Sequence, residues 1–348
     1  MKRRNFLRQS TLASSLLFVP NFVKAFEQVA KASLGYKKLV IVQLSGGNDG
    51  LNTIVPFTND IYYENRQGIS IPKKDLITVT DDLGFNKSLA PLKNLYDQGY
   101  LSIINNVGYP NPNRSHFRST DIWQTASSAN EYLDTGWVGR YIDLYGKMPY
   151  SGIEIDDSLS LIMKGEIMNG IATKNPRILF NNTKTPYFKK VLRHQSDPHL
   201  SEHNLGYLYK TMIEAKSSAK YIYETSKTYK SKQEYPNNAF GKQLKTTAEF
   251  INSNIQSKVY YVSMGGFDTH ANQADRQKRL LSTYSESMEV FVNELKQNDT
   301  FKDTLILTFS EFGRRVRQNA AGGTDHGAAN NVFIIGENLK SKGFYNEL

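Results

Sequence analysis

Acidic residues and histidines recur in this chain at one kind of place, just beyond short β-branched runs. Asp49 stands in Ser45-Gly46-Gly47-Asn48-Asp49-Gly50, and Ser115-His116 closes a Pro/Asn-rich loop. Asp268 and His270 stand in Gly265-Gly266-Phe267-Asp268-Thr269-His270, Glu311 in Ser310-Glu311-Phe312-Gly313-Arg314-Arg315, and Asp325-His326 in a Gly-rich loop. Carboxylate oxygen together with imidazole nitrogen suits zinc or manganese, whereas carboxylates with water suit magnesium or calcium; residue types alone do not choose among the four. Two such ions about 4 Å apart would clamp the attacking and leaving oxygens of a phosphoryl or related transfer. Each residue taken alone also has a plain structural reading. Asp49 fits a tight turn, Glu311 could pair with Arg314 or Arg315, and Asp325 could orient His326 without touching metal. The repetition at successive strand ends is what favours a shared metal site.

Bringing such loops together is the work of the elements between them. Residues 39–44 form a short β-branched run that stops at Ser45-Gly46-Gly47, the pattern of a buried strand entering a loop, and residues 101–107, 258–264 and 304–309 repeat it. Residues 332–335 read as a fifth strand. Between the third and fourth lie Leu281, Tyr284, Met288, Phe291 and Leu295, one face of an amphipathic helix. Strand, helix and strand in succession imply a parallel crossover, so the expected fold is α/β, a mostly parallel sheet with helices on both faces. In an open parallel sheet the carboxyl ends of the strands share an edge where ligands bind. Residues 151–257 break the rhythm. With helices expected over 205–229 and 240–252, they read as a helical insertion or cap on a single domain spanning 38–348.

Composition narrows the functional classes. The chain has 348 residues, 39% hydrophobic and 12% aromatic, enough for a sizeable core. It has no cysteine, which excludes disulfides, thiolate nucleophiles and cysteine-based zinc sites. Of the formal +10 charge, five units come from Lys2, Arg3, Arg4, Arg8 and Lys24, in a stretch without acids. The remainder is an ordinary basic surface with no basic run interleaved with aromatics, so a nucleic-acid partner is not expected. Lys2-Arg3-Arg4-Asn5-Phe6-Leu7-Arg8, a short weakly apolar stretch and Lys24-Ala25 resemble a twin-arginine signal over residues 1–30. That implies the twin-arginine translocase as an export partner and a periplasmic or exported location. The apolar stretch is too short to span a bilayer, and no segment of the mature chain is expected to. Three of the six histidines, His116, His270 and His326, fall in the strand-end loops, while His194, His199 and His203 read as surface residues of the insertion.

A resemblance becomes specific at this point. The segments Gly46 to Asn52, Ser115-His116-Phe117, Gly136-Trp137-Val138-Gly139-Arg140, Gly266 to His270, Ser310 to Arg314 and Gly323 to Gly327 resemble those of the bacterial family called domain of unknown function 1501. They occur in the family's order and cover residues 38–348. That family is similar in turn to the alkaline phosphatase and sulfatase superfamily, which implies an alkaline-phosphatase-like sheet, two metal sites and a Ser or Thr nucleophile. On that resemblance Asp49, Asp268, His270 and His326 would match metal ligands, with Glu311 and Asp325 beside them. Ser115 would match a nucleophile at a helix start, where a bound anion is stabilised, with His116 as a second catalytic residue beside it; Ser119 and Thr120 match it less well. Two departures stand out. Glu311-Phe312 replaces the superfamily's Asp-His pair, and the third-strand Asp and His are closer together than usual, which leaves one metal site altered or lost.

Arg140 and Arg314 are the candidate guanidiniums for an anionic substrate group, while Arg315 reads as a partner for loop carboxylates and Trp137 as core or pocket wall. The chain stops soon after the fifth strand with no closing helix, so a truncated C-terminus is expected. Two readings follow. One is an exported metal-dependent hydrolase acting on phosphate or sulfate esters through Ser115. The other is a non-catalytic envelope protein with the same fold that binds a partner or an anionic glycan.

Overall fold

In the computed structural model, residues 37–193 and 204–347 are described. The candidate export segment and His194, His199 and His203 lie outside them. The run Lys38–Leu44 is strand β1, buried on both sides as a central parallel strand must be. Its side chains alternate, Val40, Val42 and Leu44 into one core layer and Leu39 and Ile41 into the other. A small antiparallel sheet follows from β2 (Ile54–Pro56), β3 (Leu76–Thr78) and β4 (Leu83–Asn86), with short helix α1 (Asp60–Asn65) between the first two. Helix α2 (Ala90–Asp97) then leads into β5 (Leu101–Val107), α3 (His116–Thr125) and α4 (Trp137–Tyr145).

The stretch read as an insertion begins with two strands of the main sheet, β6 (Gly152–Glu154) and β7 (Ile171–Ala172), too short to show a period in sequence. Helices α5 (Pro176–Asn182), α6 (Pro186–Arg193), α7 (Asn204–Thr225) and α8 (Ala239–Asn252) follow. Phe240, Leu244, Ala248 and Ile251 of α8 pack into the same core layer as β1, so this region builds the domain as well as capping it. Then come β8 (Val259–Met264), α9 (Gln273–Gln297), β9 (Thr304–Phe309), the hairpin β10 (Arg314–Gln318) and β11 (Thr324–His326), β12 (Asn330–Ile335) and β13 (Gly343–Phe344).

Eight strands form the main sheet in the order β13-β5-β12-β9-β1-β8-β6-β7. Both neighbours of β1 run parallel to it, with Val42 level with Val262 and Thr308. The fifth expected strand, β12, is antiparallel to β9 and β5, so it begins at the edge where those strands end. The fold is thus mixed α/β, mostly parallel, with α2, α8 and α9 on one face and α3 and α4 on the other. The predicted face of α9 is wholly enclosed: Leu281, Tyr284, Met288, Phe291 and Leu295 are each 0% exposed. Such burial stabilises by about 1.5–3 kcal/mol per side chain. No helix among the described residues is long and apolar enough to cross a membrane.

Candidate metal centre

Five adjacent strands, β5, β12, β9, β1 and β8, place the loop ends on one rim. Two glycines set how closely the loops approach. Gly46 has φ +117°, and a Cβ there would lie 2.3 Å from the Asp268 amide nitrogen. At Gly313 a Cβ would lie 1.8 Å from the Ala329 carbonyl oxygen. Only glycine lets β1's loop touch β8's and β9's loop touch the start of β12.

Within this rim one oxygen is a hub. Asp268 Oδ1 lies 3.3 Å from His116 Nε2, 3.1 Å from His270 Nε2 and 3.3 Å from His326 Nε2. The two nitrogens Nε2 of His270 and His326 are 2.9 Å apart. Among the described residues His116, Asp268 and His326 bring ligand atoms within 4.8 Å of one another. The far side of each ring is held: His116 Nδ1 by Glu311 Oε1 at 2.8 Å, His270 Nδ1 by Asp325 Oδ1 at 3.3 Å, and His326 Nδ1 by the Arg114 carbonyl at 2.7 Å. Those partners can each accept a proton carried on Nδ1, and each Nε2 then either shares a proton with the Asp268 carboxylate or offers its lone pair to a cation in that place. Facing lone pairs repel unless a proton or a cation lies among them, and a histidine fixed through its other nitrogen is how proteins prepare a metal ligand. His116 Nε2 is moreover enclosed and has no hydrogen-bond partner.

The charges around the hub favour an ionised Asp268. Burial opposes the Asp268 charge, but Arg314 outweighs it with help from His326 and His270, holding the carboxyl down at about 2. The Glu311 hydrogen bond raises His116 above its ordinary value against partial desolvation of the ring. Asn319 and His270 hold Asp325 below the usual carboxylate range.

The sequence-level assignments divide accordingly. Asp268, His270 and His326 come together, joined by His116, which was read as catalytic and which the geometry places among the ligand atoms. Glu311 and Asp325 stand behind the rings. Asp49 is held differently: its Oδ2 is 2.6 Å from Arg66 Nη1 and also accepts from Gln273, with both Asp49 and Arg66 side chains 0% exposed. It neutralises an enclosed guanidinium, while its Oδ1 has no hydrogen-bond partner. Arg66 also donates to the carbonyls of Arg315 and Val316, each at 2.8 Å, tying β10 to the end of β1.

The two arginines expected to meet substrate do not reach outward either. Arg140 is buried against the carbonyls of Thr125 and Thr135, and desolvation lowers it to about 10. Arg314 is enclosed and donates to Gly46, Gly47, Phe267 and Thr324 carbonyls as well as to Asp268. Trp137 lies in the core.

Ser115 is exposed at the N-terminus of α3, its amide donating to Asn113 Oδ1 and its hydroxyl not used as a cap. Ser119 is buried, its hydroxyl donating to the Glu311 carbonyl, and Thr120 lies near Gln43. Two contributors had no sequence signal, Arg66 and Asn319. A third, Phe312, was read as a lost ligand. Its ring packs 4.8 Å from His116 and 4.7 Å from His326, centroid to centroid, and forms the wall behind them.

Fold and rim together define a mixed α/β protein with a histidine-carboxylate cluster at the carboxyl edge of its sheet. Residues 184–346 match the family described as protein of unknown function DUF1501, the family its motifs resemble. No curated protein matches the chain. Among solved structures it is similar to the C-terminal periplasmic domain of EcEptC from Escherichia coli in complex with Zn. The identity is 10% and the TM-score 0.40, over 86% of this chain and 72% of that one. It is also similar to alkaline phosphatase from the Antarctic bacterium TAB5, at 10% identity and TM-score 0.38, over 89% and 94%. The PsFucS1 sulfatase from Pseudoalteromonas sp. is similar at 10% identity and TM-score 0.38, over 92% and 66%. These likenesses carry nothing about the site, which stands on the distances above.

Proposed function

We propose that the chain is an exported hydrolase of phosphate or sulfate esters that holds one divalent ion between His116, Asp268, His270 and His326. The observation behind this reading is the convergence of three Nε2 atoms on Asp268 Oδ1 while every Nδ1 is held from behind. Three imidazole nitrogens and one carboxylate oxygen suit a borderline cation, zinc or manganese, better than magnesium or calcium. Such an ion would supply Lewis-acid polarisation of an ester oxygen. A second ion is not part of the proposal, because the Asp49 carboxylate is paired with a guanidinium.

The chain's own groups supply the rest. Ser115 is the nucleophile: its Oγ bonds to phosphorus or sulfur, its proton passes to solvent, and the alcohol departs with the ester electron pair and takes up a proton. Water then hydrolyses the seryl ester and restores the hydroxyl. The N-terminal amides of α3 and the turn before it offer hydrogen bonds to the anion in transit. Export rests on the paired arginine near the N-terminus.

Metal analysis of the purified chain after dialysis against zinc or manganese tests the centre. One ion per chain is expected, with loss in Asp268→Ala and His326→Ala. Activity on aryl phosphates and aryl sulfates is expected to vanish in Ser115→Ala while the ion stays bound. No bound ion in the native chain would overturn the reading, and a bound ion without turnover on any ester would favour a non-catalytic envelope protein.

A further inference from the structure

A cavity of about 290 Å³ opens beside the centre, between β10 and the segment that follows His326. Arg315, Val316, Gly327, Asn331, Gly50 and Asn106 are among the residues that line it. Gly327 adjoins a ligand residue, and the pairing of Arg314 with His326 puts Arg315 next to Asp325, the residue that holds His270.

What distinguishes this cavity is the state of its polar groups. Arg66, Arg140 and Arg314 all donate to protein acceptors. Arg315 does not: its residue is exposed, its guanidinium makes no hydrogen bond or ion pair within 4.0 Å among the described residues, and its charge reaches Asp325 only through space. Asn106, which also lines the cavity, is exposed at the end of β5, with φ +55°, and its carboxamide likewise has no partner among the described residues. Asparagine adopts that left-handed conformation at lower cost than most residues. A guanidinium fork matches the oxygens of a sulfate or phosphate, and a carboxamide can donate to and accept from neighbouring hydroxyls. Together they fit an anionic, polyhydroxylated group.

We propose that this cavity is the subsite for a second anionic group of the substrate, carried on a sugar-like ring, with Arg315 binding the anion and Asn106 the adjacent hydroxyls. The proposal rests on the ester-hydrolase reading and narrows it to substrates bearing more than one anionic group.

Binding is tested separately from turnover. The full chain, treated with a chelator so that no reaction proceeds, is titrated calorimetrically with a disulfated disaccharide, its diphosphorylated counterpart and the uncharged disaccharide. The anionic sugars are expected to bind at least tenfold more tightly than the neutral one, and the stronger of the two identifies the anion. Arg315→Gln is expected to remove that preference, Arg315→Lys to restore part of it, and Asn106→Ala to weaken the anionic and neutral sugars alike. Equal binding of charged and neutral sugars by the native chain, or undiminished preference in Arg315→Gln, would overturn the proposal. If sugar binding follows this pattern while no ester is turned over, the subsite stands and the hydrolase reading falls. If esters are cleaved but the preference is missing, the reverse holds.

Discussion

Replacing Asp49 with alanine separates two roles that a carboxylate at the end of β1 can play. Were it a metal ligand, its loss would weaken the ion and leave the metal-free chain nearly as stable as before. The geometry gives it the other role. Arg66 and Asp49 are both 0% exposed and 2.6 Å apart, so removing the acid leaves an enclosed guanidinium with only neutral acceptors: Asn52 Oδ1 at 3.0 Å and the two β10 carbonyls. Breaking a buried pair from one side costs about 3–5 kcal/mol. With about 2.1 cal/mol/K of unfolding entropy per residue, or roughly 0.7 kcal/mol/K for a chain of 348 residues, the melting temperature should fall by about 4–7 °C. The assay is thermal unfolding of native and Asp49→Ala chains in chelator and again with saturating zinc, beside metal analysis of both. The fall should be of similar size in the two conditions, with metal content unchanged. A variant as stable as the native chain in chelator but devoid of metal would refute the assignment.

Two further outcomes are expected. Glu311→Gln removes the charge that holds the His116 ring from behind, so zinc affinity measured against a chromophoric chelator should drop by about 10–100-fold; an unchanged affinity would separate Glu311 from the centre. Burial raises Glu154 from an ordinary 4.5 to about 7. An acid whose folded pKa is raised holds its proton more tightly when folded, so this group costs nothing below pH 4.5 and destabilises progressively as pH rises toward 7. The loss is about 1.4 kcal/mol per pH unit, or about 3 kcal/mol across the window. Urea midpoints at pH 5 and pH 8 should therefore fall less in Glu154→Gln than in the native chain, and parallel shifts would exclude the effect.

Legibility followed from how far each signal is local. The β-branched runs at residues 39–44, 101–107 and 304–309 and the apolar face of α9 are properties of consecutive residues, and the sheet follows from them. The direction of β12 is not, because an antiparallel return is decided by what the preceding hairpin does. The two-residue pairing of β7 is below any period a sequence can display. At the site, recurrence at strand ends picked out Asp268, His270 and His326, since the rim is a consequence of parallel order. It could not separate Asp49 from them. Which oxygen faces an imidazole and which faces Arg66 depends on a guanidinium arriving from the residue that ends α1, and an isolated arginine in sequence carries no mark of its destination. Phe312 shows the same limit from the other side: as a non-ligand it looked like a loss, whereas its ring is the surface on which two histidines rest.

Arg114, whose carbonyl seats the His326 ring, is separated from that histidine by 212 residues. A centre drawn from four loops over such a span has no local precursor, so no early fragment of the folding chain could capture the ion tightly. On the proposed reading, ion uptake therefore requires the assembled rim, so a preparation that cannot be filled by added zinc would be expected to contain incompletely assembled molecules.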